Sequence, residues 1–359
     1  MSGLNGAWPY SRLRRELAVS PRRWLVTGVA GFIGSNLLEE LLSLGQTVVG
    51  LDNFSTGRQE NLDDVMSCVG ENGSRFELIR GDIRDIDACR DACRGVDYVL
   101  HQAALGSVPR SLDDPATTNA VNVDGFVNML VAAREQRVRR VVYASSCAVY
   151  GDSSALPLDE HNTGQLLSPY AVSKLTNELY AGVFQRAYAQ QLVGLRYFNV
   201  FGKRQDPSGA YAAVIPRWIA NLLTGVRCEI HGDGETSRDF CYIANVTQAN
   251  LLAALTERSD SGGSYNVACG RETTLNELYR MLRLGLAGYE PSIAAVQPIY
   301  GPDRRGDIRR SVADISRIRR QLDYEPTHST AQGLGEALEW YVAHTVEQHP
   351  AVSAAGSPN

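Results

Sequence analysis

Six short apolar runs recur through the first two thirds of the chain, RWLVTGVA, TVVGLD, FELIRGD, VDYVLHQAA, VRRVVYASS and LVGLRYFN, with amphipathic segments between them. Parallel strands need crossover connections, and the crossover helices cover both faces of the sheet, so this alternation is the mark of βαβ units. The fold class that follows is α/β, a doubly wound parallel sheet. Past Asn199 the rhythm loosens into Gly-, Asp- and Arg-bearing segments such as FGKRQDPSGAYAAVIPRW and HGDGETSRDF, and then SYNVAC returns as a strand. The expected division is a nucleotide-binding domain over 1–198, rejoined by 239–270, and a smaller lobe assembled from 199–238 and 271–345. Residues 346–359, rich in Ala, Ser, Pro and Gly, read as a mobile tail.

The first run leads into LVTGVAGFIGSNLLEELLSLG, which places Gly28, Gly31 and Gly34 after a strand and at the mouth of a helix. Glycine there lets backbone approach a pyrophosphate, while uncapped N–H groups and the positive helix end face the anion. The next strand ends at Asp52, where a carboxylate can accept from an adenosine ribose and repel a 2′-phosphate, favouring NAD over NADP. Asp52 can equally be a turn-capping carboxylate, and nearby Arg58 can bind a phosphate. A formal charge of −5 gives no basic field for nucleic acid. The N-terminus has no apolar run long enough for a signal peptide or membrane span. Seven cysteines, odd in number and without zinc-ligand spacing, fit reduced thiols in the cytoplasm.

In SPYAVSK, Pro169 suits a first helical turn and Ser168 its N-cap, so Tyr170 and Lys174 fall at i and i+4 on one face. Such a pair is either a solvated surface couple or a base and its tuning charge. A phenol titrates near 10 and becomes a base at neutral pH only if a cation favours the phenolate. Lys174 supplies one cation, and an oxidised nicotinamide supplies another. Upstream, YASSCAVYGD puts Ser145 and Ser146 at a strand end, where sheets of this type open their ligand crevice.

Together, TGVAGFIG, GDIRD, HQAALGSV, NVDG, ASSCAVYGD, SPYAVSK, LRYFNVFG, GDGETSRDF and RRGDIRRSVAD resemble the extended short-chain dehydrogenase/reductase family, and within it the UDP-hexose 4-epimerases. The resemblance runs from about Trp24 to Tyr341 and is nearest to the UDP-N-acetylglucosamine 4-epimerases. It implies a Rossmann domain in which Gly28, Gly31, Phe32, Ile33 and Gly34 hold the NAD pyrophosphate. It places Asp52 and Asn53 at the ribose, Asp82 and Ile83 at the adenine, Gln102, Ala103 and Ala104 along the cofactor channel, and Tyr197 near the nicotinamide. Ser146 would be the hydroxyl that bridges the substrate oxygen, Tyr170 the base, and Lys174 its electrostatic partner and a ribose ligand. Asn199, Arg238, Arg304 and Asp307 match positions that hold the nucleotide, with Ser107, Gln205, Ala213, Val214 and Trp218 as further candidates. Arg305, Arg309 and Arg310 are expected to be a solvated face, and His231 is either a contact to the base or an exposed turn residue.

The reaction implied is removal of the C4 proton and hydride to give a 4-ketose, rotation of the sugar, and return of hydride to the opposite face. Related dehydratases carry Asp and Glu after the bridging hydroxyl residue; here Cys147 and Ala148 stand in those places, which disfavours elimination of water. A UDP-uronic acid epimerase or decarboxylase, and a sensor that binds without turnover, are the alternatives. At Ser311 the resemblance implies a contact with the sugar, and a side chain this small leaves room for a C2 acetamido group. A homodimer is expected, formed by the helix after Ser168 with the one near NVDGFVNMLVAAREQ.

Overall fold

Consecutive apolar positions suit strands covered on both faces, and the six runs supply them. In a computed structural model describing residues 9–207, 212–258, 262–303 and 308–348, they form β1 (Arg23–Thr27), β2 (Thr47–Asp52), β3 (Phe76–Arg80), β4 (Tyr98–His101), β5 (Arg140–Ser146) and β6 (Leu192–Tyr197). β6 is buried at every position, whereas β3, at the sheet edge, is half-buried or exposed throughout. Among the described residues the sheet has seven parallel strands in the order Gly263–Val267, β6, β5, β4, β1, β2, β3.

The direction of winding reverses between β1 and β4, which opens a crevice at their carboxyl ends. Two apolar cores flank the sheet. One is filled by Leu37, Leu38 and Leu41 of the helix Phe32–Ser43 and Ala249 of the helix Ile243–Leu255. The other holds Phe126, Met129 and Leu130 of the helix Gly125–Glu135 and Phe184 of the helix Pro169–Tyr188. The fold is therefore the doubly wound α/β sheet, with a smaller C-terminal portion. In that portion Ser237–Arg238 pairs antiparallel with Thr273–Thr274 and parallel with Arg310–Ser311. The last helix, Thr330–Gln348, carries the backbone three residues into the segment expected to be a mobile tail; 349–359 lie outside the described residues.

Past the short strand Asn199–Phe201 the chain is fixed by a buried cation. Arg204, at φ +67° and with its side chain out of contact with solvent, donates to Glu39 (2.5 Å), Asp64 (2.6 Å) and the Ser35 carbonyl. Lys203 adds a pair to Glu39 (2.6 Å), and the Tyr341 hydroxyl donates to the carbonyls of Gly202 and Gln205. The loop is thereby tied to the Phe32–Ser43 helix, to the helix Gln59–Val69 and to the C-terminal helix. Removing one partner of a buried ion pair strands the others, so Arg204→Ala is expected to destabilise the protein by about 3 kcal/mol, read as a lowered midpoint in denaturant unfolding.

Candidate active site

The turn after β1 can be built only with glycine. Gly28 sits at φ +67°, and a Cβ on Gly34 would lie 2.1 Å from the Gly28 carbonyl oxygen. No side chain caps the helix that begins at Phe32, and no acidic residue occupies its first turn, so its positive end is left for an anion. Phe32, Ile33, Asp52, Asn53, Asp82, Ile83, Gln102, Ala103 and Ala104 line the same cleft as Gly28, Gly31 and Gly34.

Asp52 caps the turn, accepting from the Ala30 N–H (2.9 Å) and the Phe54 N–H (2.8 Å), while also facing the cleft. Each carboxylate oxygen has more than one acceptor site, so both expected roles are compatible. Asn53 donates to Asp82 (2.7 Å), whose carboxyl is held down to about 2 chiefly by hydrogen bonds from Arg84. Arg58, the candidate for a 2′-phosphate, pairs instead with Asp206 (3.4 Å). The glycine cradle, the uncapped helix and the acidic ribose side fit a dinucleotide.

Ser168 accepts from the Ala171 N–H and Pro169 occupies the first turn, so the helix Pro169–Tyr188 starts where the sequence predicts. Tyr170 and Lys174 both line the cleft beside the end of β5. Lys174 donates to the Ala144 carbonyl (2.8 Å), with its nitrogen 5.8 Å from the Tyr170 ring centroid. Ser146 accepts from the Ala148 N–H (3.1 Å), which leaves its hydroxyl proton for a partner in the cleft. Burial pushes the Tyr170 phenol up to about 12, with the Ser146 hydroxyl acting the other way, and pushes the Lys174 ammonium down to about 8. Desolvation thus prevails, and the Ser146 hydroxyl rather than Lys174 is the group that favours the phenolate; the phenol needs a positive charge beside it to ionise near neutral pH.

Phe32, Ile33, Gln102 and Ala104 also wall a second hollow, shared with Ser146, Tyr170, Lys174, Tyr197, Asn199, Gln205, Arg238 and Ser311, so the two clefts are continuous. Register sets Ser311 directly opposite Arg238, which donates to the Ile308 carbonyl (2.6 Å). Gln205 donates to the Val200 carbonyl, while its own buried oxygen accepts nothing among the described residues. Ser107 caps the helix Val108–Asp113, between two residues of the wall.

Ser107 is itself off the lining, and three further candidates lie off this wall. Ala213 and Val214 open the helix Val214–Leu223, and Trp218, only 1 % exposed, packs edge-on to Tyr279 in the core. The strongly one-sided apolar pattern of that helix turns the indole inward. Arg304 and Asp307 lie outside the described residues.

Sequence reasoning missed two residues that hold the wall. Asn250 donates to the Tyr197 hydroxyl (2.8 Å), which in turn donates to Gln102 (3.1 Å). Asp239, fully buried, accepts N–H groups of Cys269, Gly270 and Ala313, and burial still pushes it up to about 6. Its place beside Arg238 in SRDF was the available signal; Asn250 gave none, being one of several polar residues, with Asn245, Thr247 and Gln248, in the helix Ile243–Leu255.

The profile of the NAD dependent epimerase/dehydratase family matches residues 24–268. A UDP-glucose 4-epimerase of Mycolicibacterium smegmatis is 38% identical over 89% of this chain and 98% of its own length. The UDP-N-acetylglucosamine 4-epimerase of Methanobrevibacter ruminantium, solved with UDP-N-acetylmuramic acid, superposes with TM-score 0.83 at 36% identity, over 90% of this chain and 99% of that one. The UDP-glucuronic acid 4-epimerase of Bacillus cereus, solved with UDP-glucuronic acid and NAD, does so with TM-score 0.79 at 29% identity, over 90% and 99%. Because the added methyl would meet backbone, Gly34→Ala is expected to weaken NAD binding at least about tenfold, as measured by calorimetric titration, while the sheet core stays folded.

Proposed function

The chain belongs to the NAD dependent epimerase/dehydratase family, and from that premise we propose that it inverts C4 of UDP-sugars, with UDP-N-acetylglucosamine and UDP-N-acetylgalactosamine as its preferred pair. One observation carries the reading. Among the described residues, the wall of the reactive hollow contains Ser146, Tyr170, Lys174 and Arg238 but no Asp or Glu. Elimination of water needs an additional acid and base, and Cys147 and Ala148, next to Ser146, offer neither carboxylate.

NAD would be held by Gly28, Gly31, Gly34, Asp52 and Asn53, and when bound it supplies a hydride acceptor and a positive ring charge. Tyr170 removes the proton from the C4 hydroxyl once its phenol is ionised. Ser146 donates to that same oxygen and holds it within reach. Lys174, anchored on Ala144, keeps the polarity of the pocket positive and has two further N–H groups for a ribose. Arg238 is suited to pyrophosphate oxygens as a charge-assisted donor, and the buried Gln205 oxygen to a uridine N–H or hydroxyl. With the hydride given back to the opposite face of C4 after the sugar has turned, Tyr170 would return its proton to the C4 oxygen, giving the C4 epimer.

Support for the acetamido pair comes from Ser311, 92 % shielded yet on the cleft wall beside Arg238, where its small side chain leaves space. The likeness to the Bacillus cereus enzyme favours uronic acids as a second substrate class. The reading includes a cytoplasmic location, which the seven free cysteines support; no helix among the described residues is long and apolar enough to cross a membrane. Incubation with UDP-N-acetylglucosamine, UDP-glucose and UDP-glucuronic acid, followed by NMR of the C4 proton, tests the reading. Turnover of the acetamido sugar is expected to lead, and binding without any epimer would favour a sensor. Ser311→Tyr is expected to cut acetamido turnover at least about tenfold while sparing UDP-glucose, by filling the space beside the sugar.

The same reading includes a homodimer. Val172, Leu179 and Val183 form an exposed stripe on the helix Pro169–Tyr188, and Leu112 and Leu167 extend it. The helix Gly125–Glu135 contributes less than expected, since Phe126, Met129 and Leu130 are spent on the core. Leu179→Glu with Val183→Glu is expected to halve the mass seen by light scattering behind size exclusion.

A further inference from the structure

Between the helix Pro169–Tyr188 and β5 the protein makes three successive links, of which the proposed chemistry uses two. Tyr170, Lys174 and Glu178 stand at i, i+4 and i+8, hence along one helical face. Opposite them, the last three residues of β5 are Ser146, Ser145 and Ala144. Tyr170 faces Ser146 across the cleft, and Lys174 donates to the Ala144 carbonyl (2.8 Å). Glu178 accepts from the Ser145 hydroxyl (2.6 Å).

That third link is built more heavily than the other two. Glu178 is only 10 % exposed and accepts two hydrogen bonds from Arg196 of β6, at 2.9 Å and 2.7 Å. Arg196 also donates to the Glu160 carbonyl (3.2 Å) and stacks over the Tyr150 ring at 5.0 Å. The Tyr150 hydroxyl donates to Asn266 (2.5 Å), whose own N–H donates to the Glu160 carboxylate (2.9 Å). The carboxylate is therefore held from several sides, and its charge is balanced by a guanidinium rather than spent on the cleft.

We propose that Glu178 is a positioning residue: by gripping the Ser145 hydroxyl, it fixes the rotation of the β5 end and so aims Ser146 at Tyr170. Ser145 and Ser146 are consecutive at the end of β5, so the backbone torsions between them tie the direction of the side chain at 146 to that of the one held at 145. The pair Glu178–Arg196 is neutral as a unit, so its effect on the cleft is geometric. The groups facing Tyr170 are Lys174 from its own helix and Ser146 and Cys147 from the β5 end, with Arg238 acting on Cys147 from the opposite wall, and Ser111 taking the Tyr170 N–H. Of these, Ser146 is the group that favours the phenolate, and loosening it raises the pH at which Tyr170 ionises.

The proposal rests on the epimerase reading for its kinetic arm and on tyrosine titration for its independent arm. Ser145→Ala removes the grip while leaving the ion pair intact, so the fold is expected to hold. Turnover number is expected to fall about tenfold with KM unchanged, because the misplacement affects the reacting geometry and not the nucleotide grip. The rising limb of the pH–rate profile is expected to move to higher pH. The Tyr170-dependent phenolate absorbance, taken as the difference from Tyr170→Phe in the same background, should move in the same direction whether or not a substrate is turned over. Adding Glu178→Gln to Ser145→Ala should change the turnover number no further if the carboxylate acts through that hydroxyl. A folded Ser145→Ala protein with wild-type turnover and an unmoved phenolate titration would overturn the proposal. Absence of turnover in the wild type would sink the epimerase reading and leave the titration to decide this one.

Discussion

A buried ammonium hydrogen-bonded to a strand-end carbonyl, Lys174 on Ala144, is the contact from which the reactive end of the molecule takes its shape. A charge that deep is costly unless paired or hydrogen-bonded, and burial already draws the Lys174 pKa down to about 8. The carbonyl lies where the β4 ladder has stopped: β4 pairs with β5 only as far as Tyr143, while on its other side β5 goes on pairing with β6 to Ser146. Once that contact sets the helix along β5, the positions of Tyr170 and Glu178 follow from helical spacing alone. The same desolvation that makes the contact firm also raises the Tyr170 phenol. In the proposed reaction a phenol raised this way needs positive charge beside it before it can take a proton, which would link proton removal to the presence of the hydride acceptor.

The cofactor side is fixed by a different means, backbone contact. Gly34 touches the Gly28 carbonyl, so the helix Phe32–Ser43 starts against the turn that follows β1. The far half of that helix carries Glu39, which accepts from Arg204 and Lys203. One rigid element thus meets the proposed pyrophosphate at its first turn and the loop leading to Gln205 at its third. Cofactor and substrate walls are held by a shared helix, and no long flexible linker lies between them among the described residues.

How much of this could be read from the sequence depended on how local each signal was. The six strands, the glycine turn and the start of the Pro169–Tyr188 helix all follow from runs, caps and spacing within a few residues. The two-residue strands Ser237–Arg238 and Arg310–Ser311 are too short for any period to register, so their pairing, which puts Ser311 beside Arg238, came only with the fold. Trp218 shows the opposite case: the resemblance makes it a candidate on the substrate side, and the one-sided pattern of its helix turns it into the core. For Tyr170 and Lys174, spacing disclosed the pair but not its electrostatics. Desolvation depends on what covers a group, and the covering residues come from Ala144 to Arg238, far apart in the chain.

The distribution of polarity along the wall also argues for inversion over other outcomes of the same first oxidation. In the proposed complex Arg238 would lie toward the nucleotide, while Cys147, Ala148 and Ser311, on the same wall as Ser146 and Tyr170, are small and uncharged. Arg310, also on this wall, is bound to Glu272 (2.6 Å), so its charge is largely spent. A sugar in such a space has few hydrogen bonds to break on turning over, whereas the anionic pyrophosphate keeps its cationic partner. An enzyme that eliminates or decarboxylates gains by holding the oxidised sugar in one pose. One that epimerises must release it between two poses without losing the molecule, and uneven grip is the physical condition for that.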